Sequence, residues 1–174
     1  MSSRTLRRGH ARTTDDLRSL LQTLFVAELL QPTQELWLIS PWISDIAVID
    51  NGHGGFGDLH SEWGARDIRL SEVLAQLMSA GTHVYVEVRP DERNARFLQR
   101  LQSAGAASAA LHVRISEVLH EKGLLSDSFL LSGSMNFTYS GVRLLDELVR
   151  YDTGPSVIAE ARLAFRARWN GVAG

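Results

Sequence analysis

The chain has 174 residues, 44% hydrophobic and 22% charged, with a formal net charge of -2. That composition suits one compact domain with a substantial buried core, and the near-neutral charge excludes coating nucleic acid by bulk attraction. No apolar run approaches the 18 residues of a membrane span. The absence of Cys removes disulfide scaffolds, thiolate metal sites and Cys nucleophiles together. The 18 basic residues comprise 17 arginines and one lysine, Lys122.

Residues 1–13 carry Arg4, Arg7, Arg8 and Arg12 among few apolar side chains and are expected to form a flexible basic arm able to touch phosphates. Asp15, Asp16 and Arg18 follow where a secretory signal would place its apolar core, so a cytoplasmic protein is expected. From Thr14 the pattern turns helical. Leu17, Leu20, Leu21, Leu24, Phe25 and Leu29 recur at three- and four-residue spacing until Pro32. Glu35–Ser40 reads as a buried strand, and 43–49 as a second extended segment after Pro41. The Gly-rich stretch 50–67 follows, with His53, His60 and Trp63. It lacks the Lys-Ser/Thr of a phosphate-cradling loop and the fixed geometry of a metal site, and is expected to be a mobile loop contacting a polyanion.

A helix over Leu70–Met78, a strand over His83–Arg89 and a helix over Asp91–Leu101 come next, then an Ala/Ser/Gly connection and a short strand at Leu111–Ile115. Leu119–Leu125 and Phe129–Ser132 form a predicted hairpin, Glu147–Tyr151 a further strand, and Pro155 opens a last helix to about Trp169. Strands alternating with helices, without internal repeat or linker, indicate a single α/β layered domain over 14–174.

The chemistry concentrates between His120 and Asn136. Alternation along a strand puts His120 and Lys122 on one face, and Ser134 and Asn136 share a face past the returning strand. If the hairpin joins these ends, one surface presents an imidazole that can attack or donate a proton. The ammonium, hydroxyl and carboxamide beside it can hold anionic oxygens. That set suits a phosphoryl group and needs no metal or other cofactor.

The segment resembles the signature of the phospholipase D (HKD) superfamily, His-x-Lys-x4-Asp followed by Gly-Ser-x-Asn. His120, Lys122, Asp127, Gly133, Ser134 and Asn136 all match. Six fixed identities arise by chance at about one in 10^8 starting points. Five residues separate Asp127 from Gly133, where the family usually has six, so the turn near Asp127 and Ser128 must absorb a deletion. The resemblance extends to Glu147, where small nucleases of the superfamily carry an acid that orients the histidine, to Arg168-Trp169-Asn170 near the end, and to Ser40-Pro41-Trp42 after the first strand. Outside these residues only the order of elements is alike.

The resemblance implies a layered α/β/α sandwich with a central mixed sheet. It implies a metal-independent phosphodiesterase with His120, Lys122, Ser134, Asn136 and Glu147 catalytic and Asp127 and Gly133 supporting. Superfamily sites use two His-x-Lys motifs and this chain has one, so a homodimer sharing one site is implied. Small single-motif members are mostly nucleases, which makes DNA the expected substrate, with RNA the alternative and Arg4, Arg7, Arg8, Arg12, His53, His60 and Trp63 the candidate contacts. Arginines at 89, 93, 96, 100, 162, 166 and 168 fit that expectation. The chain also resembles phospholipase D-like proteins that accompany bacterial DNA-modification and restriction clusters, including the deazapurine type, which implies protein partners. Two other readings stay open: a phospholipid phosphodiesterase or transphosphatidylase, and a non-catalytic DNA-binding or assembly subunit. No stable membrane association is expected.

Overall fold

The structure, a computed structural model, describes residues 3–7, 12–104, 109–143 and 148–171. Among these residues nine strands and five α-helices follow in chain order: β1 (Ser3–Arg7), α1 (Arg12–Leu30), β2 (Glu35–Ile39), β3 (Ala47–Ile49), β4 (Ile68–Arg69), α2 (Leu70–Ser79), β5 (His83–Val88), α3 (Glu92–Ser103), β6 (Leu111–Ile115), β7 (Gly123–Leu125), β8 (Leu130–Gly133), α4 (Tyr139–Arg143), β9 (Leu148–Asp152) and α5 (Pro155–Trp169). Seven strands form one mixed sheet in the order β1-β9-β8-β7-β2-β5-β6, and β3 pairs with β4 in a separate ribbon. The neighbours β2, β5 and β6 run parallel, and the strands from β7 to β1 are antiparallel.

Alternation sorts the side chains into two cores. Leu36 and Leu38 of β2, Val84, Val86 and Val88 of β5, Leu124, Leu131 and Val149 point to one face, where they pack with residues of α1, α2 and α3. Trp37, Ile39, Leu125 and Leu130 point to the other, against Ile158 and Phe165 of α5. Trp37 stacks on Tyr85 at 4.0 Å and meets Trp169 edge-on at 5.7 Å. Every residue of β2 after Glu35 is buried, as a central strand covered on both faces must be. The chain is thus the expected α/β/α sandwich. No described helix is long and apolar enough to cross a membrane.

The helix signals act as physical chemistry requires. Asp91 caps α3 by accepting from Arg93 N at 2.8 Å, and Pro155 occupies the first turn of α5, where its missing N–H costs nothing. In α2 the residues Leu70, Val73, Leu74 and Leu77 are fully buried at the three- and four-residue spacing of one helix face.

Three expectations are corrected. Ser3–Arg7 is not a free arm: its backbone pairs antiparallel with β9 over five residues, from Ser3 opposite Asp152 to Arg7 opposite Leu148. Segment 50–67 is organised around Asn51, itself 1% exposed. Asn51 Nδ2 donates to Trp63 O and Gly64 O, and its Oδ1 accepts from Phe56 N at 2.8 Å. Trp63 is buried at 5% exposure within the core, so its ring cannot stack on a nucleic acid.

Candidate active site

β2 and β5 end, β7 begins and β8 returns at one edge of the sheet, the carboxyl end of its parallel strands. Open α/β sheets place ligand sites there. The pairing of Ile39 with Gly123 and of Gly123 with Ser132 sets three strand ends side by side. Extended by one residue, these registers bring Ser40, Lys122 and Gly133 into line. Leu119–Lys122 precedes β7 instead of forming part of the predicted strand, because the ladder between β2 and β7 stops where Ile39 meets Gly123.

Gly133 is fixed by two constraints. Its φ is +143°, and a Cβ there would fall 1.9 Å from Leu148 O. That close approach lets Ser134 N donate to Leu148 O, and Leu148 N donate to Ser134 Oγ, both at 3.0 Å. Asn136 is set by the turn that follows. Thr138 N donates to Asn136 O, Thr138 Oγ1 accepts from Gly141 N, and a Cβ on Gly141 would sit 2.2 Å from Asn136 O. Asn136 Oδ1 lies 3.2 Å from Ser40 Oγ, whose single proton is shared between it and Trp42 O at 2.9 Å.

The His120 segment is tied from three directions. Arg89 Nε donates to Leu119 O at 2.6 Å. Lys122 Nζ donates to His120 O at 2.8 Å. Glu121, on the far side, pairs with Arg168 of α5. Arg168 also lies 3.5 Å from Glu87, a buried acid with Arg114 at 3.7 Å on its other side. Burial pushes the Glu87 carboxyl above the usual range, against the pull of the two arginines and with Glu121 adding to the rise. His120 itself is exposed and Lys122 half-buried.

The structure therefore brings His120, Lys122, Gly133, Ser134 and Asn136 to one place. Asp127 is elsewhere. It sits in the β7–β8 turn, five residues and about 16 Å of extended chain from Lys122. There it accepts from Gln34 N at 2.9 Å and pairs with Arg162 at 2.6 Å. Burial alone would raise its carboxyl, but bonds with Thr33 and Gln34 and the Arg162 charge hold it below the usual aspartate range. Glu147 and Arg8 lie outside the described residues, while Arg4 and Arg7 fall within β1 and Arg12 opens α1. His53 is exposed on the 50–67 loop, and His60, half-buried, stacks on Trp63 at 5.4 Å.

Among the described residues, most arginines of α3 and α5 are held in ion pairs. Arg96 pairs with Glu92, Arg100 with Asp45, Arg162 with Asp127 and Arg166 with Glu35. Sequence reasoning missed Ser40 and Asn94, both buried polar side chains that act on the site. The signals for Ser40 are its position where an apolar strand stops, before Pro41, and its place in the Ser40-Pro41-Trp42 likeness, neither of which gave it a role. Among the described residues no group of three or more His, Cys, Asp or Glu could hold a metal ion.

The family model described as cardiolipin synthase, PLD-like domain, matches residues 60–169. Nuc of Salmonella typhimurium, a phospholipase D family member, superposes with a TM-score of 0.62 at 12% identity, covering 97% of this chain and 94% of that one. NucT from Helicobacter pylori gives 0.59 at 10% identity, with 95% and 94% covered. TrmBL2, an archaeal chromatin protein whose structure shows a mode of DNA binding, gives 0.56 at 13% identity, with 98% of this chain and 53% of that one. No curated protein matches the sequence closely enough to count as a relative.

Proposed function

The chain belongs to the phospholipase D-like domain family, a family of phosphodiesterases, and we propose that it is a metal-independent nuclease acting on DNA through a phosphohistidine. The observation that carries this reading is the meeting of His120, Lys122, Ser134 and Asn136 at one sheet edge. Lys122 is tied to the His120 carbonyl, Ser134 to Leu148 N, and Asn136 to the Ser40 hydroxyl. These groups supply a nucleophile and several donors for phosphoryl oxygens.

Two copies of the chain share one site across a two-fold axis, since a single chain offers one imidazole where the chemistry needs two. One His120 attacks phosphorus. Its ring nitrogen forms the N–P bond as the bond from phosphorus to the leaving oxygen breaks, and the second His120 passes its proton to that oxygen. The second imidazole, now neutral, takes a proton from water. The water oxygen attacks phosphorus, the N–P bond breaks, and both histidines return to their starting states. Lys122, Ser134 and the Asn136 amide hold the charge that grows on the phosphoryl oxygens. Glu147 is assigned, from the family resemblance, to hydrogen-bond the ring nitrogen that does not react and so fix the tautomer.

DNA is favoured as substrate because small single-motif relatives are mostly nucleases and because TrmBL2 joins this fold to DNA binding. Partners from a DNA-modification or restriction system, and a cytoplasmic location, belong to the same reading. The test is acid-quenched trapping on a DNA oligonucleotide in EDTA, with peptide mapping of the phosphorylated residue. Phosphate on His120 is expected. Turnover of phospholipid vesicles with no nucleic acid cleaved would replace the nuclease with a lipid phosphodiesterase. Absence of any phosphohistidine in a folded dimer, with DNA bound and intact, would leave a binding subunit.

A further inference from the structure

Beside the phosphate-holding groups stands an aromatic side chain that this chemistry does not use. Pro41 and Trp42 follow Ser40 as the chain leaves β2, and Asn94 of α3 clamps the turn. Asn94 Nδ2 donates to Pro41 O and to Arg89 O, and its Oδ1 accepts from Ile43 N, all at 2.8 Å. The clamp is 1% exposed, so the turn is set from inside the protein. Trp42 itself remains half-buried at the rim and belongs to neither hydrophobic core.

Its surroundings tie it to the site on both sides. Ser40 Oγ, which faces Asn136 Oδ1 at 3.2 Å, also lies 2.9 Å from Trp42 O. Two residues span at most about 7 Å of chain, so the indole is rooted within one side-chain length of the phosphate-holding Asn136. On the other side the Arg89 guanidinium lies over the ring, 5.6 Å from its centroid, while Arg89 Nε holds Leu119 O, one residue before His120. A cation over an indole fixes the ring at an exposed rim.

Resting on the nuclease reading above, the geometry points to Trp42, backed by Arg89, as a stacking subsite for an unpaired base next to the scissile phosphate. The ligand class is single-stranded nucleic acid. A ligand for this position must carry a planar ring close to a phosphodiester, and a nucleotide does. The glycerol and acyl chains that flank a phospholipid diester offer no ring to stack. Bases within a duplex have both faces covered by their neighbours, so the subsite selects strands whose bases are free.

The test titrates the full-length protein with three ligands of equal length: a thymidine dodecamer, its base-free tetrahydrofuran analogue and a duplex. Binding is followed by tryptophan fluorescence, and cleavage is measured alongside. The thymidine strand is expected to quench Trp42 emission and to bind about tenfold more tightly than the base-free strand. Trp42→Leu, which keeps bulk without a π face, should erase that preference and the quench, while Trp42→Tyr should keep most of the preference. Equal binding of thymidine and base-free strands by the wild type would overturn the subsite, as would equal weakening of both in Trp42→Leu, or a duplex bound as tightly as the single strand. Cleavage of both strands with equal efficiency would remove the subsite and leave the phosphodiesterase intact. Quenching by the thymidine strand without any cleavage would do the reverse.

Discussion

Lys122 is the one lysine beside 17 arginines, and its surroundings give the exception a physical reason. Its ammonium donates to the carbonyl of His120 at 2.8 Å from a half-buried position between strand ends. A compact, rotatable group with three donors can hold that carbonyl and still reach a phosphoryl oxygen. The planar five-donor fork of arginine needs more width and sets its donors at fixed angles. Lys122→Arg is therefore expected to lose about 10^2-fold or more in kcat on a DNA oligonucleotide, with the fold unchanged by circular dichroism. Activity near that of the wild type would show that any cation suffices and would remove the role assigned here. Gly133 makes the complementary point. Its place in the Gly-Ser-x-Asn pattern is visible in the sequence, but the reason for it, a carbonyl 1.9 Å from where a Cβ would stand, comes from a chain segment fifteen residues further on.

At the scale of elements, the β7–β8 hairpin separates two jobs that the signature joins. Its open end carries the groups proposed for catalysis and its closed end carries Asp127, bonded to Gln34 N and paired with Arg162. Asp127 is part-exposed, so solvent weakens the ion pair and its contribution is about 1 kcal/mol. Its carboxyl is held below the ordinary aspartate range. That stabilisation is complete above the unfolded pKa and is lost as the pH falls through the lower folded one. Asp127→Asn should lower the urea midpoint at pH 7, flatten the acid limb of stability below about pH 4, and leave kcat within about threefold. A large loss of kcat with an unchanged urea midpoint would place Asp127 in the chemistry after all.

The same scale shows what the sequence could and could not disclose. An apolar run exposed β2, period-two alternation exposed β5, and three- to four-residue spacing exposed α1 and α2, because each of these buries a surface that its own residues define. β1 escaped because Ser3–Arg7 has little alternation and owes its form to β9, nearly 150 residues away. The loop at 50–67 read as structureless because its order depends on one buried amide, Asn51, whose partners carry no pattern. Site residues with a fixed spacing were legible. Asn94 and the bond from Arg89 to Leu119 O were not, since they act through backbone groups that any sequence would supply, and the role of Ser40 was not, since it meets a side chain 96 residues away.

For the whole molecule, the decisive question is whether one chain can finish the reaction. His120 stands exposed at the end of the sheet, two residues from Val118, which is 86% accessible. A second copy brought against this edge by a two-fold axis would supply the second imidazole and cover apolar surface in the same step. The arithmetic of mixing then differs between models. If each dimer has one site built from both histidines, a wild-type chain paired with a His120→Ala chain is dead, and activity follows the square of the wild-type fraction. Equal amounts, allowed to exchange subunits fully, should retain about a quarter of the activity of the same total concentration of wild-type chains. If each chain works alone, the mixture retains about half. The measurement needs only tagged chains, proof of exchange by tandem purification and a turnover assay on an oligonucleotide. A result near one half would dissolve the shared site and require a group other than a second His120 to protonate the leaving oxygen.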